Sequence, residues 1–329
     1  MYDIITIGSV TRDAFFKSKD FKIVNDDKEF RTGKGGCFLL GAKMEVPEVV
    51  FTTGGGSTNT AVGFARMGLK TACIGRIGDD VSGKEVRKEL KEEKVSDFLQ
   101  IDKKISTAYS LILVAPDGER TILEYRGAND GLSEKEINWK KLKSKWLFLD
   151  SLSGNVELLK SALDWAEKNK VKIAFNPGKR EIKMGEKLQP FLKNIDIFIV
   201  NEDEAALVTG IQYKKENEER IFSKLDEIIK GIVVMTKGPD GVIVSGGDHV
   251  YKAGVPESPI IDRTGAGDSF SAGFVSAFIQ SKGDIEYAIQ AGTANATSVV
   301  QYFGAKKGLL KRNQLNEFWR KWPKVEILS

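Results

Sequence analysis

The sequence predicts an α/β protein whose core is a mostly parallel, doubly wound sheet with helices on both faces. Short apolar runs alternate with segments of helical periodicity in the second half of the chain, and they lie at 146–149, 173–175, 197–200 and 232–235. This alternation is typical of parallel strands joined by helices that cover the sheet. With 329 residues the chain can bury a large core, and we expect residues 1–329 to form one domain.

Two stretches in the first half of the chain, at about 14–50 and 106–128, do not follow this alternation of strands and helices. The first is polar, then glycine-rich, and too long for a plain connector. The second contains β-rich runs at 107–114 and 120–126, on either side of the turn sequence at 116–119. We expect the two stretches to form a small β-sheet lid.

The composition excludes several classes of protein. The chain has 50 Lys and Arg against 46 Asp and Glu residues, and the net charge of +4 gives no argument for nucleic-acid binding. Two cysteines, Cys37 and Cys73, form neither a disulfide framework nor a zinc pattern. The one histidine, His249, lies in a predicted hairpin turn. No basic leader and no apolar run of membrane-spanning length is present, so we expect a cytoplasmic protein that does not bind membranes.

Polar and glycine residues cluster near the ends of the first predicted strands. A strand at 4–10 is followed by Asp13, which we place in a loop, and a strand at 49–53 runs into Gly54-Gly55-Gly56 and a helix that carries Asn59. Three glycines allow a ligand to approach the backbone closely. The alternative is a flexible turn with Ser57 as the helix N-cap.

A segment that resembles a P-loop does not meet its chemical requirements. Gly78 to Lys84 has nearly the right spacing, but Glu85 stands where a Ser or Thr would bind Mg²⁺. A carboxylate there would repel phosphate, so we reject a P-loop.

Candidate residues also follow the lid and the later strands. Arg126 and Asn129, after the second lid run, could contact a substrate or could be merely exposed. Candidates at the ends of three successive strands are Asn176 and Arg180, then Asn201 and Glu204, then Thr236, Gly238 and Gly241. Ligands of such sheets bind beyond the carboxyl ends of the strands. For Asn201, the alternative is an N-cap with acidic residues in the first helical turn.

The segment Asp262–Phe270 is a small-residue loop that opens directly into a helix. Its two glycines, Gly265 and Gly267, let backbone amides approach a ligand, and a helix N-terminus favours anions such as phosphate. Asp268 stands at the start of that helix. It is either a helix N-cap or a functional carboxylate, and the isolated segment does not decide between them.

This segment resembles the C-terminal signature of the ribokinase-like (PfkB) family of sugar and nucleoside kinases. The resemblance implies that Gly265, Ala266, Gly267 and Asp268 form an anion hole and that Asp268 is the catalytic base. It also implies that Asp262 and Thr264 belong to a loop that can bind a monovalent cation, K⁺.

Other motifs match the family in the same order along nearly the whole chain. Asp13, Gly54, Gly55 and Asn59 correspond to groups that bind the acceptor hydroxyls, while Gly56 replaces the lysine found in many members. The resemblance implies that Glu204 acts on Mg²⁺ through water, and the residues that it assigns to ATP are Asn201, Glu204, Thr236, Gly238, Gly241 and Asn295.

The sequence therefore predicts an ATP-dependent phosphotransferase that acts on a hydroxyl group of a sugar, with Mg²⁺ and with ATP as partner substrate. A nucleoside kinase of the same family is the alternative. Two other classes are a non-catalytic sugar- or nucleotide-binding regulatory protein and a nucleotide-cofactor oxidoreductase, for which the dinucleotide fingerprint is missing. Family analogy suggests a homodimer formed through the lid. The sequence leaves the acceptor, K⁺ dependence and the oligomeric state open.

Overall fold

A computed structural model describes residues 1–17, 22–26, 28, 34–37, 39–114, 120–318 and 322–328. The described strands are β1 (Tyr2–Ile7), β2 (Thr11–Lys17), β3 (Lys22–Asn25), β4 (Lys34–Cys37), β5 (Glu48–Gly54), β6 (Thr71–Ile74), β7 (Arg76–Gly78), β8 (Ser96–Asp97), β9 (Gln100–Asp102), β10 (Ala108–Val114), β11 (Arg120–Tyr125), β12 (Ser144–Leu149), β13 (Lys172–Phe175), β14 (Ile197–Asn201), β15 (Ile232–Thr236), β16 (Val242–Gly246), β17 (His249–Ala253) and β18 (Val325–Ile327). The described helices are α1 (Gly56–Arg66), α2 (Val81–Glu92), α3 (Val156–Asn169), α4 (Lys179–Ile182), α5 (Gln189–Leu192), α6 (Glu202–Thr209), α7 (Glu218–Ile228), α8 (Ala266–Ser281), α9 (Ile285–Val299) and α10 (Leu315–Phe318).

The main sheet has ten strands in the order β18-β17-β16-β15-β14-β13-β12-β1-β6-β8. The strands from β15 to β8 pair in parallel, and β16, β17 and β18 add an antiparallel edge. The predicted mostly parallel sheet is confirmed. Because the parallel strands share a direction, their carboxyl ends meet along one edge of the sheet.

Helices cover both faces of this sheet, as predicted. Along β12, Leu147 and Leu149 pack on one side with residues of α3, α6 and α7, and Trp146 and Phe148 pack on the other side with residues of α1, α8 and α9. Alternate side chains of a strand point to opposite faces, so a strand buried on both faces is apolar throughout. Complete burial of a side chain such as Phe148 contributes about 1.5–3 kcal/mol.

The second sheet has four strands in the order β11-β10-β2-β5, drawn from the two stretches expected to form the lid. The predicted hairpin is formed by β10 and β11, although its turn at 116–119 lies outside the described residues. The position of Asp13 differs from the prediction. It lies within β2, opposite Thr52 of β5 and Ser110 of β10, rather than in a loop. Pairing on both sides decides this, because the local sequence has no apolar alternation there.

Two further segments bear on the predictions. Asp80 caps α2 by accepting hydrogen bonds from Gly83 N (2.8 Å) and from Thr107, so the rejected P-loop segment is an ordinary capped helix start. The helix α9, which carries Asn295, is capped by Asp284 and ends at Val299. Among the described residues, no helix has the length and apolar character needed to cross a bilayer.

Candidate active site

The helix α8 begins directly after the loop 262–265. Gly265 is its N-cap with φ of 77°, a left-handed conformation that favours glycine, and Ala305 packs where a Cβ of Gly265 would lie. No side chain caps this helix. Asp268 is the third helical residue, and its Oδ2 accepts a hydrogen bond of 2.7 Å from Asn59 Nδ2 of α1. The N-cap interpretation of Asp268 is therefore wrong, and two motifs 209 residues apart in the chain meet in one place.

Asp150, directly after β12, is a site residue that the sequence reasoning missed. Its Oδ2 accepts hydrogen bonds from Ser9 Oγ (2.6 Å) and Ser9 N (3.2 Å), and Ser9 Oγ also accepts from Gly56 N. Burial and the nearby Asp268 carboxylate raise the pKa of Asp150 to about 7, against the opposing hydrogen bonds from Ser9. Its position immediately after a buried apolar run is the signal that could have identified it.

The pKa of Asp268 is also raised above its ordinary value. Burial is the largest cause, and the Asn59 hydrogen bond and the positive charge of Lys306 oppose it. Because Asp150 and Asp268 repel each other when both are ionised, the two carboxyl groups lose their protons in two separate steps that belong to the pair rather than to either residue.

The glycine turn 54–56 surrounds these carboxylates. Gly55 has φ of 89°, and a Cβ on Gly54 or Gly56 would overlap with the carboxyl group of Asp13 or Asp150, respectively. Asp13 is buried and accepts a hydrogen bond of 2.9 Å from Thr11 Oγ1. Burial raises the pKa of Asp13, while hydrogen bonds and Lys306 oppose this rise. The absence of side chains at the turn thus makes room for acidic groups on both sides.

Arg126 and Asn129 do not lie on an exposed hairpin. Asn129 is 4% exposed, and its Oδ1 accepts a hydrogen bond of 3.0 Å from Val10 N. Arg126 donates to Asp130 (2.9 Å) and to Ser153 Oγ (2.9 Å). Both side chains therefore have partners within the protein. Their contact with a substrate stays a prediction.

The residues assigned to the nucleotide lie at the neighbouring strand ends. Asn201 and Thr236 are paired in register at the ends of β14 and β15. Asn201 is the N-cap of α6, and Glu204 completes a capping box by accepting from Asn201 N at 2.9 Å. Burial raises the pKa of Glu204. The capping interpretation of Asn201 is confirmed, which leaves its contact with ATP a prediction.

Gly238 and Gly241 form the tight turn between β15 and β16. Their φ angles are 53° and 94°, and Lys237 N donates to Gly241 O at 2.8 Å. Nothing within 4 Å would meet a Cβ on Gly238, so this side of the turn is open.

Asn295 is completely buried within the protein. Its amide donates to Ser269 O (2.7 Å) and its Oδ1 accepts from Leu310 N (2.9 Å). These bonds join α9 to the first turn of α8, and contact of Asn295 with ATP stays a prediction.

The segment Asp262–Thr264 contacts the four-stranded sheet. Asp262 Oδ1 accepts hydrogen bonds from Thr264 N and Oγ1, and Oδ2 accepts from Gly304 N. Arg120, at the start of β11 in the four-stranded sheet, forms an ion pair of 3.1 Å with Asp262 Oδ1. The Asp262 carboxylate, which the family resemblance assigns to K⁺, is thus already paired with the Arg120 guanidinium.

The donor set is compatible with Mg²⁺ that is held mainly by a nucleotide. Among the residues in the described ranges, no group of three His, Cys, Asp or Glu side chains could enclose a metal ion. Mg²⁺ keeps several waters and is usually bound through one or two carboxylates plus phosphates, a role that Glu204 beside Asn201 fits.

Comparisons with known proteins agree with this geometry. A model of the pfkB family of carbohydrate kinases matches residues 1–312. Ribokinase of Haemophilus influenzae is 32% identical over 273 residues, which cover 80% of this chain and 86% of that protein. The structure of Thermotoga maritima ribokinase has a TM-score of 0.77 at 20% identity and covers 97% of this chain and 100% of that one. Adenosine kinase of Sinorhizobium meliloti has a TM-score of 0.78 at 21% identity, covering 96% and 98%.

At these identities the two solved structures establish the fold, while the family match and the sequence relative establish the class. The chain belongs to the pfkB family and is an ATP-dependent carbohydrate kinase.

Proposed function

We propose that the protein transfers the γ-phosphoryl group of ATP to a hydroxyl group of an uncharged sugar, with Asp268 as the general base. The contact between Asn59 and Asp268 at the start of α8 carries this proposal. It places a carboxylate at the helix N-terminus, where backbone amides are available to an anion.

A buried acceptor atom supports a hydroxyl-bearing ligand. Asn59 is 5% exposed, and its Oδ1 has no hydrogen-bond partner among the described residues. An unsatisfied buried oxygen is costly unless a ligand donates to it. A sugar hydroxyl beside Asn59 would satisfy Oδ1 and lie next to Asp268.

In the proposed reaction, the acceptor hydroxyl gives its proton to Asp268 while its oxygen forms a bond to the γ-phosphorus. The bond from that phosphorus to the β–γ bridging oxygen breaks, and ADP leaves. Mg²⁺ bound with the nucleotide would neutralise phosphate charge, with Glu204 acting through water. The amides of Gly265 to Asp268 would stabilise the charge on the migrating group.

The charge of the pocket favours an acceptor without phosphate or carboxylate groups. The carboxyl groups of Asp13 and Asp150 lie beside the glycine turn, and both interact electrostatically with Asp268. Gly56 has no side chain and so supplies no cation there. A second negative group would be repelled by these carboxylates. Both sugars and nucleosides are uncharged and carry such hydroxyls, so nucleosides belong in the test.

The test is a panel of sugars, sugar phosphates and nucleosides with MgATP, scored by ADP release and by mass spectrometry of the product. We expect one or more neutral sugars to be phosphorylated and sugar phosphates to be inactive. Preferential phosphorylation of a nucleoside would replace the sugar assignment, and no ADP release with any acceptor would reject the proposed function.

The base assignment is tested by Asp268→Asn. We expect turnover to fall by about 10²- to 10⁴-fold while ATP binding, measured by calorimetry, is retained. The control is Asp164→Asn, which changes an exposed aspartate on α3 and should leave both quantities unchanged. Wild-type turnover in Asp268→Asn would exclude the base role.

A further inference from the structure

Lys306 is a buried lysine that the mechanism above does not use. It is 6% exposed, and its Nζ lies 2.8 Å from Glu89 Oε2 of α2 and 2.6 Å from Thr53 Oγ1 of β5. Thr53 also donates a hydrogen bond to Glu89. A buried ammonium group is costly unless it is paired and hydrogen-bonded, and this one is both.

The backbone around Lys306 contacts the catalytic loop. Gly304 N donates to Asp262 Oδ2 (3.0 Å), and Ala305 packs against Gly265, the N-cap of α8. The carbonyl oxygen of Lys306 accepts from Arg66 Nη1 of α1 at 2.7 Å. The segment 304–306 therefore contacts the anion-hole loop, while the Lys306 side chain reaches the strand that leads into the glycine turn.

The charge of Lys306 acts on two acidic groups of the site. Burial raises the pKa of both Asp13 and Asp268, and the positive charge of Lys306 opposes the rise in each case. The pKa of the third carboxyl group, Asp150, is raised by burial and by the charge of Asp268, and the groups that oppose this rise are hydrogen-bond donors rather than cations.

Other charged groups lie around the ammonium group. Lys306 lines a cavity of about 280 Å³ between α2 and the lid. The remaining charged side chains of that cavity are Arg12, Arg66, Glu85, Lys88, Glu92 and Lys307. Arg66 is paired with Glu93, as Lys306 is with Glu89.

We propose that Lys306 is a positioning residue for phosphoryl transfer, which fixes β5 and the 304–306 segment against the catalytic loop and holds a positive charge behind Asp13 and Asp268. This inference rests on the proposed function for its kinetic consequence. Its structural and electrostatic content concerns the resting protein and can be measured without turnover.

Paired charge variants test it. Lys306→Met removes the positive charge, so the acid limb of the kcat/KM profile should move to higher pH by about one unit. Glu89→Gln removes the negative partner, so the limb should move the opposite way, by roughly half a unit. The double variant Lys306→Met/Glu89→Gln removes both charges and should restore the limb nearly to its wild-type position, as should Lys306→Arg.

A role in packing alone predicts a different pattern. It would lower kcat in both single variants without moving the acid limb, or move the limb in the same direction in both. Either outcome would overturn the proposal. Thermal unfolding identifies any variant that fails to fold, and in that case Lys306→Gln, which keeps a donor for Thr53 and Glu89, replaces Lys306→Met.

A second measurement separates this proposal from the proposed function. Carboxyl-detected NMR follows the titration of Asp268 directly in wild type, Lys306→Met and Glu89→Gln. We expect opposite shifts in the two variants even if no acceptor is phosphorylated. An inactive wild type would reject the kinase assignment alone, whereas an unmoved Asp268 titration would reject the role of Lys306 alone.

Discussion

Asp150→Asn should stabilise the protein relative to the wild type. We expect this gain in the free energy of unfolding to be larger at high pH than at low pH. The variant keeps the shape of the side chain and an oxygen that can accept from Ser9, but it removes the ionisable group. Burial and Asp268 raise the pKa of Asp150 from 3.8 to about 7 in the folded protein. Between these values the folded state binds more protons than the unfolded state, so the wild type loses stability as pH rises.

The size of the effect follows from the two pKa values. The raised pKa of Asp150 lowers the free energy of unfolding by about 1.7 kcal/mol at pH 5, where the folded group stays protonated, and by about 4.3 kcal/mol at pH 8.5, where it is ionised. The asparagine variant avoids this cost at both values. The difference in unfolding free energy between variant and wild type should therefore be about 2.6 kcal/mol larger at pH 8.5 than at pH 5.

The assay is urea unfolding of both proteins at each pH, followed by tryptophan fluorescence. Asp164→Asn is the matched control, because its aspartate is exposed on α3 and should give nearly the same difference at both values. If the gap between Asp150→Asn and wild type does not change with pH, Asp150 does not titrate in this range and the reasoning is refuted.

Two further substitutions test how the glycine turn and the lid support the site. Gly56→Ala should raise the acceptor KM by at least about ten-fold, because its Cβ would overlap with Asp150, while Gly254→Ala, which meets no atom within 4 Å, should behave as wild type in the same assay. Arg120→Gln should lower kcat/KM by about ten-fold, because it leaves the buried carboxylate of Asp262 without its cation.

Each of these has its own contradicting result. A normal acceptor KM in Gly56→Ala would mean that the turn and Asp150 can separate without cost. For the lid contact, Arg87→Ala breaks an exposed ion pair with Asp97 and serves as the control. Equal kinetics for Arg120→Gln and Arg87→Ala would show that the ion pair with Asp262 has no role in catalysis.

The periodicity of apolar residues predicted the strands that carry the site, because periodicity is a local property of the sequence. Apolar runs bounded by glycine and polar residues located β12 to β15, and the shared direction of parallel strands then placed Asn201 and Thr236 side by side. The same logic did not identify Asp150, although it stands at an equivalent position. Asp13 was misplaced in a loop because a polar strand in the small sheet has no apolar alternation.

The sequence by itself determined the fold class, the glycine-rich loops and the carboxylate at the start of α8, since these depend on neighbours within a few residues. Only the tertiary structure decided what Asp268 contacts. Its partner Asn59 lies 209 residues away, Ser9 and Asp150 are 141 apart, and Thr53 and Lys306 are 253 apart. Burial and charge pairing depend on distance in space, so the protonation of the candidate site and the packing of the loop before α8 are properties of the folded chain.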